Sequence, residues 1–169
     1  YRDKNPVFYW EREEGMTDFS YSLDQDPRGI PDNVSETSLA SANFTDISDG
    51  VWYFHLKAKK GDVWGGVSHF PIRIDATPPE NFEIKIERTG GITGYNFFAH
   101  FSTIDLLSGI DHYEVSVVNI NNPRALANPF FIEASSPYRI PSQSVGKYAI
   151  LVKAYDKTGN FTEARSTLN

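Results

Sequence analysis

Apolar and polar residues alternate along most of this 169-residue chain. In Gly50-Val51-Trp52-Tyr53-Phe54-His55-Leu56-Lys57-Ala58 an aromatic follows the glycine by two positions, and apolar residues then recur at every second place. Gly146-Lys147-Tyr148-Ala149-Ile150-Leu151-Val152-Lys153-Ala154 repeats the arrangement. Successive strand side chains point to opposite faces, so each run predicts a strand with one buried face. Similar alternation predicts strands near residues 7–11, 16–23, 40–44, 51–59 and 68–74, and again near 82–87, 96–103, 110–119, 130–133, 138–140, 147–155 and 163–168. Between 24 and 36, two prolines and a glycine interrupt any ladder and predict a loop. Gly90-Gly91 with Gly94 is read as a hairpin turn. No window sustains helical spacing for more than a couple of turns.

The repetition holds at a second landmark. Gly15-Met16 with Phe19 matches Gly109-Ile110 with Tyr113, 94 positions on, while Trp52 and Tyr148 are 96 apart. A period of that length is the size of a small domain rather than of a solenoid repeat. Thr77-Pro78-Pro79 lies between the copies. The expected organisation is therefore a domain over 1–75, a Pro-rich linker over 76–80 and a domain over 81–169. Many short strands with regular turn signals describe a β-sandwich. The second copy opens with a strand at 82–87 that has no counterpart in the first. The first sandwich is thus expected to lack its leading strand, leaving an edge that needs cover, and the chain is expected to be a segment of a longer array.

Composition narrows the function. Hydrophobic residues at 40% and aromatics at 14% suffice for two cores. The expected cores are Phe8, Trp10, Phe19, Trp52, Phe54 and Leu56, and then Phe97, Phe101, Tyr113, Tyr148, Ile150 and Val152. A net charge of −6 leaves no basic stripe for nucleic acid. The absence of cysteine removes disulfides, thiol catalysis and Cys-based zinc sites. No apolar run approaches the roughly 20 residues of a membrane span, and residues 1–6 lack the apolar core of a signal peptide. If the protein is exported, its address lies outside this segment.

With Trp10 on the early strand, Met16-x-x-Phe19 and Ile110-x-x-Tyr113 on the next, and the paired runs at 50–58 and 146–154, nearly the whole chain resembles fibronectin type III and related immunoglobulin-like modules. Ser48 to Lys59, followed by Ile74-Asp75-Ala76-Thr77-Pro78-Pro79, is most similar to repeats of large prokaryotic surface proteins. The resemblance implies an all-β fold of two tandem immunoglobulin-like (fibronectin III-type) sandwiches. It also implies a tyrosine-corner clamp from Tyr148 to the preceding turn, firmer than any that Trp52 can make with its single N–H. The implied role is a non-catalytic spacer, display or adhesion module of an extracellular or cell-surface protein, whose partners are neighbouring repeats, a glycan or a surface protein. The alternative is a carbohydrate- or protein-binding accessory of a secreted enzyme or adhesin. Fold does not dictate which.

Candidate chemistry is sparse. The four histidines show no metalloprotease spacing, and no nucleophile elbow, phosphate loop or dinucleotide fingerprint occurs. His55 falls on the outward register between Tyr53 and Lys57 and is expected to be a solvated surface histidine. Tyr53, His55 and Trp64, with His69 and Phe70, are candidates for a stacking platform. The competing reading folds Trp64 over the sandwich end as a core aromatic. On such a fold Asp105, Asp111, Asp156 and Asn160 share one pole, and Asp75, Asp105 and Asp156 are candidate oxygen ligands for an interdomain calcium ion. The competing reading makes them ordinary turn residues. Asn33, Asn43 and Asn160 begin glycosylation acceptor sequences, which matter only where the source glycosylates.

Overall fold

The computed structural model describes residues 1–91 and 94–168. The chain divides into two compact units, Tyr1–Ala76 and Thr77–Asn169.

The first unit contains β1 (Val7–Tyr9), β2 (Met16–Asp24), β3 (Ser41–Asn43), β4 (Gly50–Lys60) and β5 (Val63–Ile74). β1 pairs with β3, and β2-β4-β5 form a second antiparallel sheet. Alternation along β4 sends Phe54, Leu56 and Ala58 to one face and Tyr53, His55 and Lys57 to the other. Phe54 is buried and stacks on Phe8 with ring centroids 4.1 Å apart. Trp10 meets Phe19 at 5.1 Å, and Phe44 presents an edge to Phe8 at 5.8 Å. These contacts join the two sheets into an aromatic-rich sandwich. β5 begins five residues before the expected 68, because Val63 and Trp64 pair with Lys60 and Lys59 beyond a bulge. An edge strand tolerates Gly65-Gly66 at such a bulge.

The second unit contains β6 (Lys85–Gly91), β7 (Gly94–His100), β8 (Ile110–Asn119), α1 (Pro123–Ala127), β9 (Ile132–Glu133), β10 (Tyr138–Ile140), β11 (Tyr148–Asp156) and β12 (Phe161–Leu168). Its sheets run β6-β7-β10 and β12-β11-β8-β9, all antiparallel. The tip of the β6–β7 hairpin, residues 92 and 93, lies outside the described residues. Ile84, Ala99, Phe101 and Ile140 from one layer meet Val115, Tyr148, Ile150 and Val152 from the other in one core. β11 is also buried on its second face, where Ala149 and Leu151 pack with Val118 against Ile120, Ala125, Leu126 and Phe131. The cover there includes α1, which the sequence pattern did not indicate because five residues are too few to show a helical period. Its signature is nonetheless local: Asn122 caps the Ala125 N–H at 3.2 Å and Pro123 sits in the first turn.

The repeat extends to conformation. Gly15 and Gly109, before β2 and β8, have φ of 86° and 78°, a left-handed geometry that costs any residue with a Cβ. Trp52 Nε1 donates to the Ser48 carbonyl at 2.8 Å, and the Tyr148 hydroxyl lies 2.7 Å from Ser144 Oγ; each aromatic thus reaches back four residues. The clamp expected of Tyr148 therefore has an indole equivalent in the first unit. Tyr148→Phe, which keeps the ring and deletes the hydroxyl, is expected to lower the stability of the second unit by about 1 kcal/mol in urea unfolding.

Residues 77–80 are tied to the second unit by their carbonyls, since two of them are prolines without N–H groups. Thr162 Oγ1 donates to Pro79 O at 2.5 Å, Thr103 Oγ1 to Glu80 O at 2.6 Å and Asn160 Nδ2 to Thr77 O at 3.4 Å.

Candidate functional site

On the first unit, residues 24–36 fold back over the face of β2-β4-β5 that points away from the aromatic core. The loop brings carbonyls that lack ladder partners, and the sheet supplies donors. Ser20 Oγ donates to Asp32 O at 2.8 Å. Lys57 Nζ donates to Pro31 O at 3.2 Å and to Asn33 Oδ1 at 2.5 Å. His55 Nε2 lies 3.0 Å from Asp26 O and 3.2 Å from Asp24 Oδ1. Facing two acceptors, Nε2 carries the hydrogen. Nδ1 of His55 lies 2.6 Å from Nδ1 of His69, so one hydrogen between the two rings joins β4 to β5. Gly29 is required by this approach, because a Cβ at that position falls 2.5 Å from His55 Nε2.

This corrects the reading of His55 as a solvated surface group. It is 0% exposed, despite standing on the outward register, because a loop rather than water covers that register. The alternation correctly gave the face and could not show what lay upon it. The platform nominated around Tyr53, His55 and Trp64 therefore does not present His55 to solvent, although His69 beside it is exposed. Tyr53 is half-buried, with its ring stacked parallel to His55 at 6.4 Å. Trp64 is half-buried too; it pairs across from Lys59, and the Lys57 ammonium sits 5.9 Å from its ring. This places Trp64 on the outer face rather than in the core. His69 shares that face, whereas Phe70 turns to the other side, 6.3 Å from Phe8.

In the second unit Asp105 and Asp156 organise the turns at one pole. Asp105 Oδ1 accepts from the backbone N–H groups of Leu107, Ser108 and Gly109 at 3.1, 2.8 and 2.8 Å. Asp156, 2% exposed, accepts at Oδ1 from the N–H groups of Thr158 and Asn160 at 2.8 and 2.9 Å, and at Oδ2 from Asn160 Nδ2 at 2.7 Å. Burial pushes the Asp156 carboxyl upward, but these bonds from Asn160 and Thr158 outweigh it and hold the group below the usual aspartate range. One carboxylate oxygen of Asp105 lies within 4.8 Å of one of Asp156. Asp111 faces outward and contacts His112 Nδ1 at 2.8 Å. Asn160 is buried, so the folded chain does not offer it as a glycan acceptor. Asp75 belongs to the first unit, where it is 3% exposed and its N–H donates to Tyr1 O at 2.8 Å.

No protein-family model matches the chain, and no curated protein matches it. Among solved structures it is similar to the crystal structure of chicken CNTN1 FN1-FN3 domains, at 13% identity and a TM-score of 0.45, over 98% of this chain and 62% of that one. The chain thus spans less than two thirds of the length of that structure. The strand orders and inner-face packing, not this likeness, establish the sandwich architecture. No helix among the described residues is long and apolar enough to cross a membrane.

Proposed function

We propose that the chain is a non-catalytic spacer or display segment of a larger extracellular or cell-surface protein. The observation that carries the reading is the engagement of the polar groups best suited to chemistry. His55, Lys57, Asp105 and Asp156 each hold a loop or turn to its own sandwich. Two-layer domains with satisfied polar loops suit a mechanical and geometric role, in which Pro78 and Pro79 restrict the backbone between them. Pull-down on insoluble polysaccharides and a glycan array test it, with no retention expected. Saturable binding abolished by Tyr53→Ala or Trp64→Ala would replace the spacer reading with that of a carbohydrate- or protein-binding accessory, for which the half-exposed Tyr53 and Trp64 are the favourable feature.

A bound cation is a second reading, favoured by the proximity of the Asp105 and Asp156 carboxylates, whose like charges oppose one another unless something positive intervenes. Calcium takes six to eight oxygens, so these two residues would need help from backbone carbonyls and water. Thermal unfolding in millimolar calcium against a chelator decides it. A higher Tm for the second unit supports the ion, and an unchanged Tm leaves the two carboxylates as turn organisers alone.

A further inference from the structure

The outer face of the first unit carries a nitrogen pair that seating the loop does not use. His55 on β4 and His69 on β5 stand directly opposite one another in the antiparallel register. Directly opposed side chains on one face of neighbouring strands have Cβ atoms about 5 Å apart, within reach of one imidazole for another. Here the two Nδ1 atoms come to 2.6 Å, with the rings inclined at 79°. The histidines of the second unit face carboxylates instead, His100 with Glu87 at 2.7 Å and His112 with Asp111 at 2.8 Å. An imidazole nitrogen holds either a hydrogen or a lone pair. Two of them this close share one hydrogen or, once it has gone, turn two lone pairs on the same point.

The two rings are held differently. Buried His55 is fixed from behind, where its Nε2 donates to the Asp26 carbonyl at 3.0 Å and to the Asp24 carboxylate at 3.2 Å. Asp24 Oδ1 is itself held by the Asp26 N–H at 2.8 Å. Metal-binding histidines need this support, because a carbonyl or carboxylate on the far nitrogen fixes the ring direction and leaves the near nitrogen to ligate. His69 is exposed, so an ion with its waters reaches the pair from that side and the ring has room to turn. The nearest buried cation, the Lys57 ammonium, is already taken up by the Pro31 carbonyl and Asn33 Oδ1.

We propose that His55 and His69 form a two-histidine site for a divalent transition-metal ion of the class that imidazole suits, copper(II), nickel(II) or zinc, bound at the two Nδ1 atoms with water in the remaining positions. Two metal–nitrogen bonds of about 2.0–2.1 Å at a square or tetrahedral angle set the nitrogens about 3 Å apart, so the rings open by about half an ångström, which the exposed His69 supplies. The hydrogen between the rings moves to Nε2 of His69, or leaves to solvent where that nitrogen already carries one. The ion then replaces the hydrogen as the link between β4 and β5 beneath the loop. Calcium and magnesium, which take oxygen ligands, do not suit a pair of ring nitrogens. The site lies in the first unit, apart from Asp105 and Asp156, and the inference does not depend on the spacer reading.

Zinc chloride titrated into the full chain near neutral pH, followed by nitrogen NMR of the histidine rings and by thermal unfolding, tests this. The expected result is one saturable site, shifts at Nδ1 of both His55 and His69, and a raised Tm for the first unit. Copper(II) should bind more tightly than zinc, by the usual order of divalent affinities, and magnesium should leave the rings unshifted. His69→Gln alters an exposed side chain and so leaves the fold intact; it is expected to weaken zinc binding by about tenfold or more, the scale on which metal sites answer to a lost supporting group. His100→Ala combined with His112→Ala should bind zinc as the wild type does. Shifts confined to Nε2 of the exposed histidines, equal binding by His69→Gln, loss of binding in the His100 and His112 variant, or an unmoved Tm for the first unit would overturn the proposal.

Discussion

Phe54→Ala is expected to lower the stability of the first unit by about 3–5 kcal/mol, the range for deleting a buried aromatic side chain. Phe54 is 5% exposed and is the ring on which the two sheets meet. It stacks on Phe8 at 4.1 Å and lies 5.9, 5.9 and 6.1 Å from Trp10, Tyr21 and Phe44, so its loss removes ring contacts as well as apolar area. Calorimetry of the full chain gives the measurement. The transition assigned to the first unit should fall by well over 10 °C, since about 1 kcal/mol moves Tm by 4–8 °C in a domain of this size. The transition of the second unit should not move, because its core is built from other residues. A shift of both transitions together would show that the halves unfold as one cooperative body.

Asp156→Ala is expected to cost the second unit about 2–4 kcal/mol at neutral pH. Hydrogen bonds to a charged group are each worth about 1.5–3 kcal/mol, and the several made here act as one network rather than adding in full. The substitution would leave the Thr158 and Asn160 N–H groups of a tight, partly buried turn without their acceptor. Its pH dependence has a definite sign. The folded carboxyl sits below its ordinary value, so the unfolded chain binds the proton more readily. The contribution is therefore complete above the unfolded pKa, at about 4, and is lost as pH falls through the lower folded value. Urea unfolding of the wild type and the variant at pH 7 and near pH 3 should show the gap between them narrowing in acid. A gap independent of pH would mean that the side chain acts through packing and not as an acceptor.

Much of this fold can be read from local pattern. The strand at 110–119 has the expected limits, as does that at 138–140, because alternation there is uninterrupted and is bounded by turn residues. The paired glycines at 15 and 109 adopt matching conformations, since a left-handed turn constrains the residue at that position whatever surrounds it. The aromatics at 52 and 148 likewise reach back by the same four residues although one is an indole and the other a phenol. That the two-stranded sheet of the first unit has no counterpart of β6 among the described residues was legible too, as an apolar run present at 82–87 and absent from the first copy.

The candidate sites were less legible, for a reason that His55 makes plain. Period-two alternation assigns each residue of a strand to a face, and it correctly put His55 and Lys57 on the face opposite Phe54, whereas the reading of Trp64 as a core aromatic is overturned by its place on the outer face. Whether that face meets water or a folded-back loop depends on residues some 20 to 30 positions away, and polar composition gives the same signal for both. The carboxylates posed the same difficulty in another form. Asp156 before Gly159 is equally consistent with a ligand and with a turn, and only the N–H groups converging on Oδ1 distinguish its local role.

By itself the amino-acid order determined the periodicity, the number of sandwiches and the residues facing each core, because these follow from steric preferences acting over a few neighbouring positions. Tertiary structure alone decided which outward residues were sealed beneath a loop and which core residues were left uncovered, because burial is set by segments distant in the chain. The half-exposed Leu56 and the fully buried Val152 occupy equivalent places in nearly the same local pattern, and what separates them is whether a strand such as β6 lies alongside.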